Sequence, residues 1–217
     1  MGTPDDGHEL FIGHLISEGY LQLSQLNLVS DLDASIDDKG VFQFYLEGPE
    51  LIDKKSQPER LIKSSCGACD ADGLEELISD LPILDIDSRK IDFDKLNKAF
   101  DSMKLEQQGF RTTGGMHAAG IVDYDYNLLY LKEDIGRHNA VDKVIGAAAV
   151  KNFDFNNSIL LLSGRCGWDI VAKCCRSNIR TIASIGACSS LAASTARKSG
   201  MRIFSFVKPD NAVIIGG

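Results

Sequence analysis

Cys66-Gly67-Ala68-Cys69 sets two thiols apart by two small residues, a spacing that lets the sulfur atoms lie a few ångströms from each other. Gly67 permits a sharp backbone turn, and Ser64-Ser65 add freedom just before it. A short helix expected over 73–80 follows, and a helix N-terminus favours thiolate. Lys63 is a nearby cation, whereas Asp70 opposes ionisation. Such a pair can hold a persulfide on one sulfur and resolve it, or hand it on, with the other. The same spacing suits a thiol-redox pair, part of a zinc site, or two inert loop thiols. Zinc needs four ligands, and without a second Cys-x-x-Cys the rest must come from Cys174, Cys175 or the histidines. A thioredoxin-like pair calls for a preceding βαβ unit and a neighbouring aromatic or proline. Spacing by itself leaves these readings open.

A second constellation is Gly114-Gly-Met-His117-Ala-Ala-Gly120, followed by Glu133-Asp-Ile-Gly-Arg137-His138-Asn-Ala-Val-Asp142-Lys143. The latter packs seven polar or charged side chains into a strand-to-helix junction. Arg137 offers a planar fork for phosphate or carboxylate, and helix-start amides add donors. His117 and His138 can bind a ligand or carry a proton. A purely structural cap and salt-bridge network would equally explain Asn139, Asp142 and Lys143. Arg137 and His138 point instead to a ligand. Cys166, Cys174, Cys175 and Cys188 fall on apolar faces or beside a loop and read as small core residues. Trp168 reads as a core or interface anchor.

These residues need elements to position them. The first sixty residues read as a small α+β region, with a helix over 9–18 and a strand over 41–46 after the Asp38-Lys-Gly40 turn. A further strand is expected over 61–65, running into the Cys66 loop. A helix starting near Asp92 buries Phe93, Leu96, Phe100 and Met103, with Gly109 closing it. Beyond Phe110 the pattern gives a hairpin (118–123 and 128–132), then a helix over 139–150. Strand 159–162, helix 168–177, strand 181–185, helix 190–199 and strand 202–207 complete it. That alternation implies a mostly parallel sheet covered on both faces. The reading therefore divides the chain into a small α+β region, 1–109, carrying the Cys66 loop, and an α/β core, 110–217.

Ligands of such sheets collect at the carboxyl ends of strands. Three loops lie there: Ser163-Gly-Arg165, Gly186-Ala-Cys-Ser-Ser190 and Lys208-Pro-Asp-Asn211. None is a Walker A or GxGxxG loop, so phosphoryl transfer and nicotinamide chemistry have no support. The 217 residues carry a net charge of −8, which disfavours indiscriminate nucleic-acid binding. The charge is uneven. Residues 1–109 hold 10 Lys/Arg and 23 Asp/Glu, while residues 110–217 hold 13 and 8. A basic second half suits an anionic small ligand. No apolar run reaches the roughly 20 residues of a membrane span, and the first residues lack a secretory pattern. The expectation is a cytoplasmic protein without membrane or nucleic-acid partners, its six cysteines reduced.

At these motifs the sequence resembles the formate dehydrogenase accessory sulfurtransferase family (FdhD-type). The likeness is carried by Ser65-Cys-Gly-Ala-Cys69, Gly114-Gly-Met-His-Ala118, the specific block Glu133–Lys143, Ser163-Gly-Arg165 and Phe206-Val207-Lys208-Pro209-Asp210-Asn211. It implies a cytidine-deaminase-like three-layer α/β/α core, usually homodimeric, with a small N-terminal α+β region. It implies a sulfur relay too: a cysteine desulfurase loads Cys66, with Cys69 as its partner. The sulfur then passes to the molybdenum bis-molybdopterin guanine dinucleotide cofactor, bound as cargo, for formate dehydrogenase. The guanine-dinucleotide site of the family falls on Phe206 to Asn211. The phosphates of such a polyanion suit Arg137, Arg165 and Lys208, with His117 and His138 beside them. The deaminase signature of His-x-Glu followed by Pro-Cys-x-x-Cys is missing, so nucleobase deamination is not expected, and no resident metal is expected either. The chain departs from the family pattern in starting close to Thr3-Pro4, at Asp70, and at Cys166-Gly-Trp-Asp169. Two other functions stay open: a cofactor-binding chaperone without sulfur chemistry, and a thiol-redox protein using Cys66 and Cys69.

Overall fold

The computed structural model describes residues 2–29, 33–36, 42–45 and 78–217. Cys66 and Cys69, the strand expected over 61–65 and most of the helix expected over 73–80 lie outside the described residues; Ile78 and Ser79 are helical. The strand expected over 41–46 is β2 (Phe42–Tyr45), antiparallel to β1 (Asp33–Ile36) in a two-stranded sheet.

The main sheet has six strands: β3 (His117–Val122), β4 (Leu128–Asp134), β5 (Ile159–Leu162), β6 (Thr181–Ser184), β7 (Arg202–Ser205) and β8 (Val213–Gly216). Their order is β4-β3-β5-β6-β7-β8. The expected mostly parallel sheet is corrected here to a mixed one. Only β5–β6 and β6–β7 are parallel, while β4–β3, β3–β5 and β7–β8 are antiparallel. The connections explain this. Residues 206–212 are too few for a parallel crossover, which takes a dozen or more, so β8 returns as a hairpin. The long connection from β4 to β5 passes over β3, which is left antiparallel between them. β8 is a strand the sequence reading did not anticipate.

Strand residues alternate between two cores. Leu160, Leu162, Ile182 and Ile203 face α4 (Arg137–Ala149), α5 (Trp168–Arg176) and α6 (Ser190–Ser199), all on one side of the sheet. Ile159, Leu161, Ala183 and Phe204 face α2 (Phe93–Glu106) on the other. Asp92 caps α2 by accepting from Lys95 N–H at 3.0 Å, and Leu96, Ala99, Phe100 and Met103 form its buried stripe. Gly109 does not close this helix. The chain breaks at Gln107 and resumes as α3 (Gln108–Thr113), which Gly114 ends at φ 68°.

α1 (Gly7–Ser17) lies outside α4, its Ile12, Leu15 and Ile16 entering the same core. The two helices cross at glycines. A Cβ on Gly13 would stand 1.7 Å from Asp142 O, and one on Gly146 1.9 Å from Glu9 O. Segment 82–92, without regular structure, is pinned by Leu84 N–H to Ser199 O at 2.8 Å and by Asp87, which accepts from Arg89, Tyr124 and Thr181. Among the described residues no helix is long and apolar enough to cross a membrane.

Candidate functional site

Most of the polar block 133–143 works as structure. Glu133 accepts from the N–H groups of Gly109 and Phe110 at 2.7 and 2.8 Å, capping α3 from the neighbouring strand β4. Asp134, fully buried, accepts from Thr3 N–H (2.9 Å), Gly136 N–H (2.8 Å) and Asn139 Nδ2 (3.1 Å), and pairs with Lys143 Nζ at 2.8 Å. Burial opposes its ionisation, but Lys143 and the two amides outweigh it and hold the carboxyl below the usual range. Asp142 meets Ser17 Oγ at 2.6 Å and Lys173 Nζ at 2.8 Å. Arg137 and His138 are left facing the strand ends.

There they join His117, at the start of β3, and Arg165, after β5. His117 is held below the ordinary imidazole range by its burial first, then by Arg137, Arg165 and His138 around it. Its Nδ1 would lie 3.1 Å from a Cβ on Gly164, so the loop after β5 sits directly on the ring. His138 Nε2 stands 3.3 Å from Asp169 Oδ2, close enough for an ion pair but off the line a hydrogen bond needs. That contact, with Arg137 behind it, holds Asp169 below the usual carboxylate range. Among the described residues, Arg137 Nε and Trp168 Nε1 are shielded from solvent without a hydrogen-bond partner. Helices α4 and α5 both begin here after glycines, Gly136 and Gly167, with no side-chain cap on their first amides. Uncapped helix starts, two guanidiniums and a cradle of glycines are the donors an anion requires.

The loops at the strand ends are stitched together. Ser184 Oγ donates to Gly164 O at 2.6 Å, and Phe206 N–H donates to Gly186 O at 3.3 Å. A Cβ on Gly186 would meet Gly164 carbonyl carbon at 2.9 Å, so only glycine fits. Phe206 is half exposed and adopts a left-handed φ of 53°, a strained conformation for a bulky residue. Val207 turns into the α2-side core. Lys208, Pro209, Asp210 and Asn211 form an exposed turn closed by Lys208 N–H to Asn211 O at 2.9 Å. A line of residues thus crosses the strand ends from His117 at β3 through Gly164 after β5 and Gly186 after β6 to Phe206 after β7.

A family model for the FdhD/NarQ family matches residues 1–216. The chain belongs to the FdhD/NarQ family. Relatives of this FdhD/NarQ chain include proteins named sulfur carrier protein FdhD. That of Xanthomonas axonopodis pv. citri is 31% identical over 99% of this chain and 76% of its own length. The Streptomyces coelicolor protein is 32% identical over 100% and 80%, and that of Sulfurisphaera tokodaii 33% over 96% and 77%. The fold is that of a crystal structure from Desulfotalea psychrophila, described as a formate dehydrogenase accessory protein (TM-score 0.72, 23% identity, 100% of this chain and 80% of that one).

Within this FdhD/NarQ fold the sequence reading named the cations but missed their partners. Asp169 on His138, and Glu133 as a remote cap, lie 31 and 24 residues from the groups they meet, and no periodicity signals such pairs. Among the described residues no group of three or more His, Cys, Asp or Glu is arranged to hold a metal ion.

Proposed function

We propose that the protein is a sulfur carrier in formate dehydrogenase maturation, receiving sulfur on Cys66 from a cysteine desulfurase and delivering it to molybdenum bis-molybdopterin guanine dinucleotide, its cargo. The observation that supports the cargo is the convergence of His117, Arg137, His138 and Arg165 at the strand ends, where Arg137 Nε is buried without a partner among the described residues. A buried guanidinium nitrogen left unpaired is costly, and a phosphate oxygen would satisfy it. Phe206 to Asn211 would hold the guanine-nucleotide end, with Lys208 toward its phosphates. Relatives named sulfur carriers support the sulfur half of the reading.

In this proposal the Cys66 thiolate attacks the terminal sulfur of the desulfurase persulfide, giving Cys66–S–SH and releasing the desulfurase thiolate. Cys69 thiolate then attacks Cys66 Sγ. The terminal sulfur leaves as hydrosulfide for the molybdenum, and Cys66–Cys69 disulfide remains for a dithiol reductant to reset. The core would keep the cytidine-deaminase-like arrangement, and the protein would act in the cytoplasm as a homodimer.

Intact-mass analysis after incubation with a cysteine desulfurase and cysteine tests this directly. One added sulfur is expected on the Cys66 peptide, none in Cys66→Ala, and a retained, slowly released sulfur in Cys69→Ala. Undiminished labelling of Cys66→Ala would refute the assignment. Full support of formate dehydrogenase activity by the double variant would favour a cofactor-binding chaperone instead.

A further inference from the structure

Cys166 and Cys188 follow β5 and β6, and a parallel β-bridge joins them. Cys166 N–H donates to Ala187 O at 2.9 Å and Ser189 N–H donates to Cys166 O at 3.1 Å, fixing the register. Bridged residues on neighbouring strands lie about 4.8 Å apart and point to the same face. A disulfide asks for Cα separations of about 4.4–6.8 Å. Both side chains enter the core beneath α4–α6, Cys166 wholly buried and Cys188 packed against it but partly open to solvent. Cys188 Sγ–H donates to Ser189 O at 3.4 Å. Cys174 and Cys175, by contrast, are both buried in α5.

We propose that Cys166 and Cys188 form a thiol–disulfide exchange site for low-molecular-weight disulfides of the glutathione kind, Cys188 being the entering nucleophile and Cys166 the resolving thiol. The adjoining Cys166 thiol and, against the opposing burial, the Arg197 guanidinium hold the Cys188 thiol below its usual range, whereas Cys188 beside it and its own burial push the Cys166 thiol up. Cys188 thiolate attacks one sulfur of RSSR, forming Cys188–S–S–R and expelling RS⁻, which takes up a proton. The negative charge beside Cys166 is then gone, removing one of the reasons it keeps its proton. Cys166 passes that proton to water and attacks Cys188 Sγ, expelling the second RS⁻. Two protein thiols become one disulfide, and one RSSR becomes two RSH. The bond ties the loop after β5 to the loop after β6, the pair whose Gly164 and Gly186 line the anion site. This chemistry is independent of Cys66 and Cys69.

The full chain carrying Cys66→Ser and Cys69→Ser isolates the site. Incubated folded with oxidised glutathione, it is expected to lose two hydrogens, with the Cys166 and Cys188 peptides linked in a non-reducing map. Adding Cys188→Ser should cut that link and any adduct by about tenfold or more, because the accessible attacking thiol is gone. Adding Cys166→Ser should leave one glutathione held on Cys188. A chain that stays reduced while an exposed-thiol control protein is modified overturns the proposal, as does equal modification in the Cys188→Ser variant. The first two measurements decide the matter even where Cys166→Ser does not fold.

Discussion

Arg137 and His117 make the strand-end site sensitive to both charge and pH. Removing the Arg137 fork in Arg137→Ala should cost about 1.5–3 kcal/mol of anion binding, roughly ten- to a hundredfold in the affinity for guanosine diphosphate by calorimetry. Circular dichroism should show the fold intact. His117 has its imidazolium disfavoured by burial and then by Arg137, Arg165 and His138 around it, so in the free protein it titrates below its usual 6.5. The unfolded chain therefore takes the proton first, and this residue's contribution to stability falls as pH drops through that window. A bound phosphate offsets the surrounding charge and raises the His117 value. Nucleotide affinity should thus increase from pH 7.5 to 6 with proton uptake, and His117→Ala should flatten the slope. An unchanged slope would remove His117 from the site.

The α1–α4 crossing is the element whose packing tolerates least. Gly146→Ala would press a methyl against Glu9 O and Gly13 N, at 1.9 and 2.9 Å, both backbone atoms that cannot rotate away. Overpacking of this kind costs about 1–3 kcal/mol, more than the gain of about 1 kcal/mol from replacing glycine within a helix. A fall in Tm of several degrees is expected for a chain of this size. Gly115→Ala is the control, because its Cβ would have no atom nearer than 4.0 Å. Equal Tm values for the two variants would show that the helices part without penalty. Helix positions came close from the sequence, since periodicity and caps such as Asp92 act within a few residues. Gly109 misled because the signal that ends α3 is the left-handed Gly114, and the cap that starts α3 comes from Glu133 on a strand.

Across the molecule, buried ion pairs fasten the N-terminal helix to the helices that cover the sheet. Lys173 Nζ lies 2.8 Å from Asp142 Oδ1 and 2.6 Å from Glu18 Oε1, joining α5, α4 and the end of α1. Burial opposes the Asp142 charge, but His14, Lys173 and Ser17 outweigh it and hold the carboxyl below 3.8. A depressed carboxyl contributes stability above its unfolded value and loses it as pH falls through the folded one. Asp142→Asn should therefore cost about 3 kcal/mol at pH 7 by urea unfolding, near the lower bound for a broken buried pair because Glu18 remains. The difference from wild type should shrink below about pH 4, where the carboxyl of the unfolded chain begins to take up a proton while the folded Asp142 still resists it. A constant difference across that range would show that the loss is steric.

The sequence alone determined the element order of the second half, the cationic residues of block 133–143 and the three strand-end loops. Those are set by local periodicity, turn residues and charge within short windows. Tertiary structure decided the rest. Strand order follows from connection lengths measured against the whole sheet, so β3 came out antiparallel between β4 and β5. Which of the block's charges hold the fold and which face a ligand depends on partners up to 140 residues away, such as Thr3 for Lys143. The meeting of Cys166 with Cys188 is of the same kind, because two cysteines 22 residues apart become neighbours only when parallel strands align.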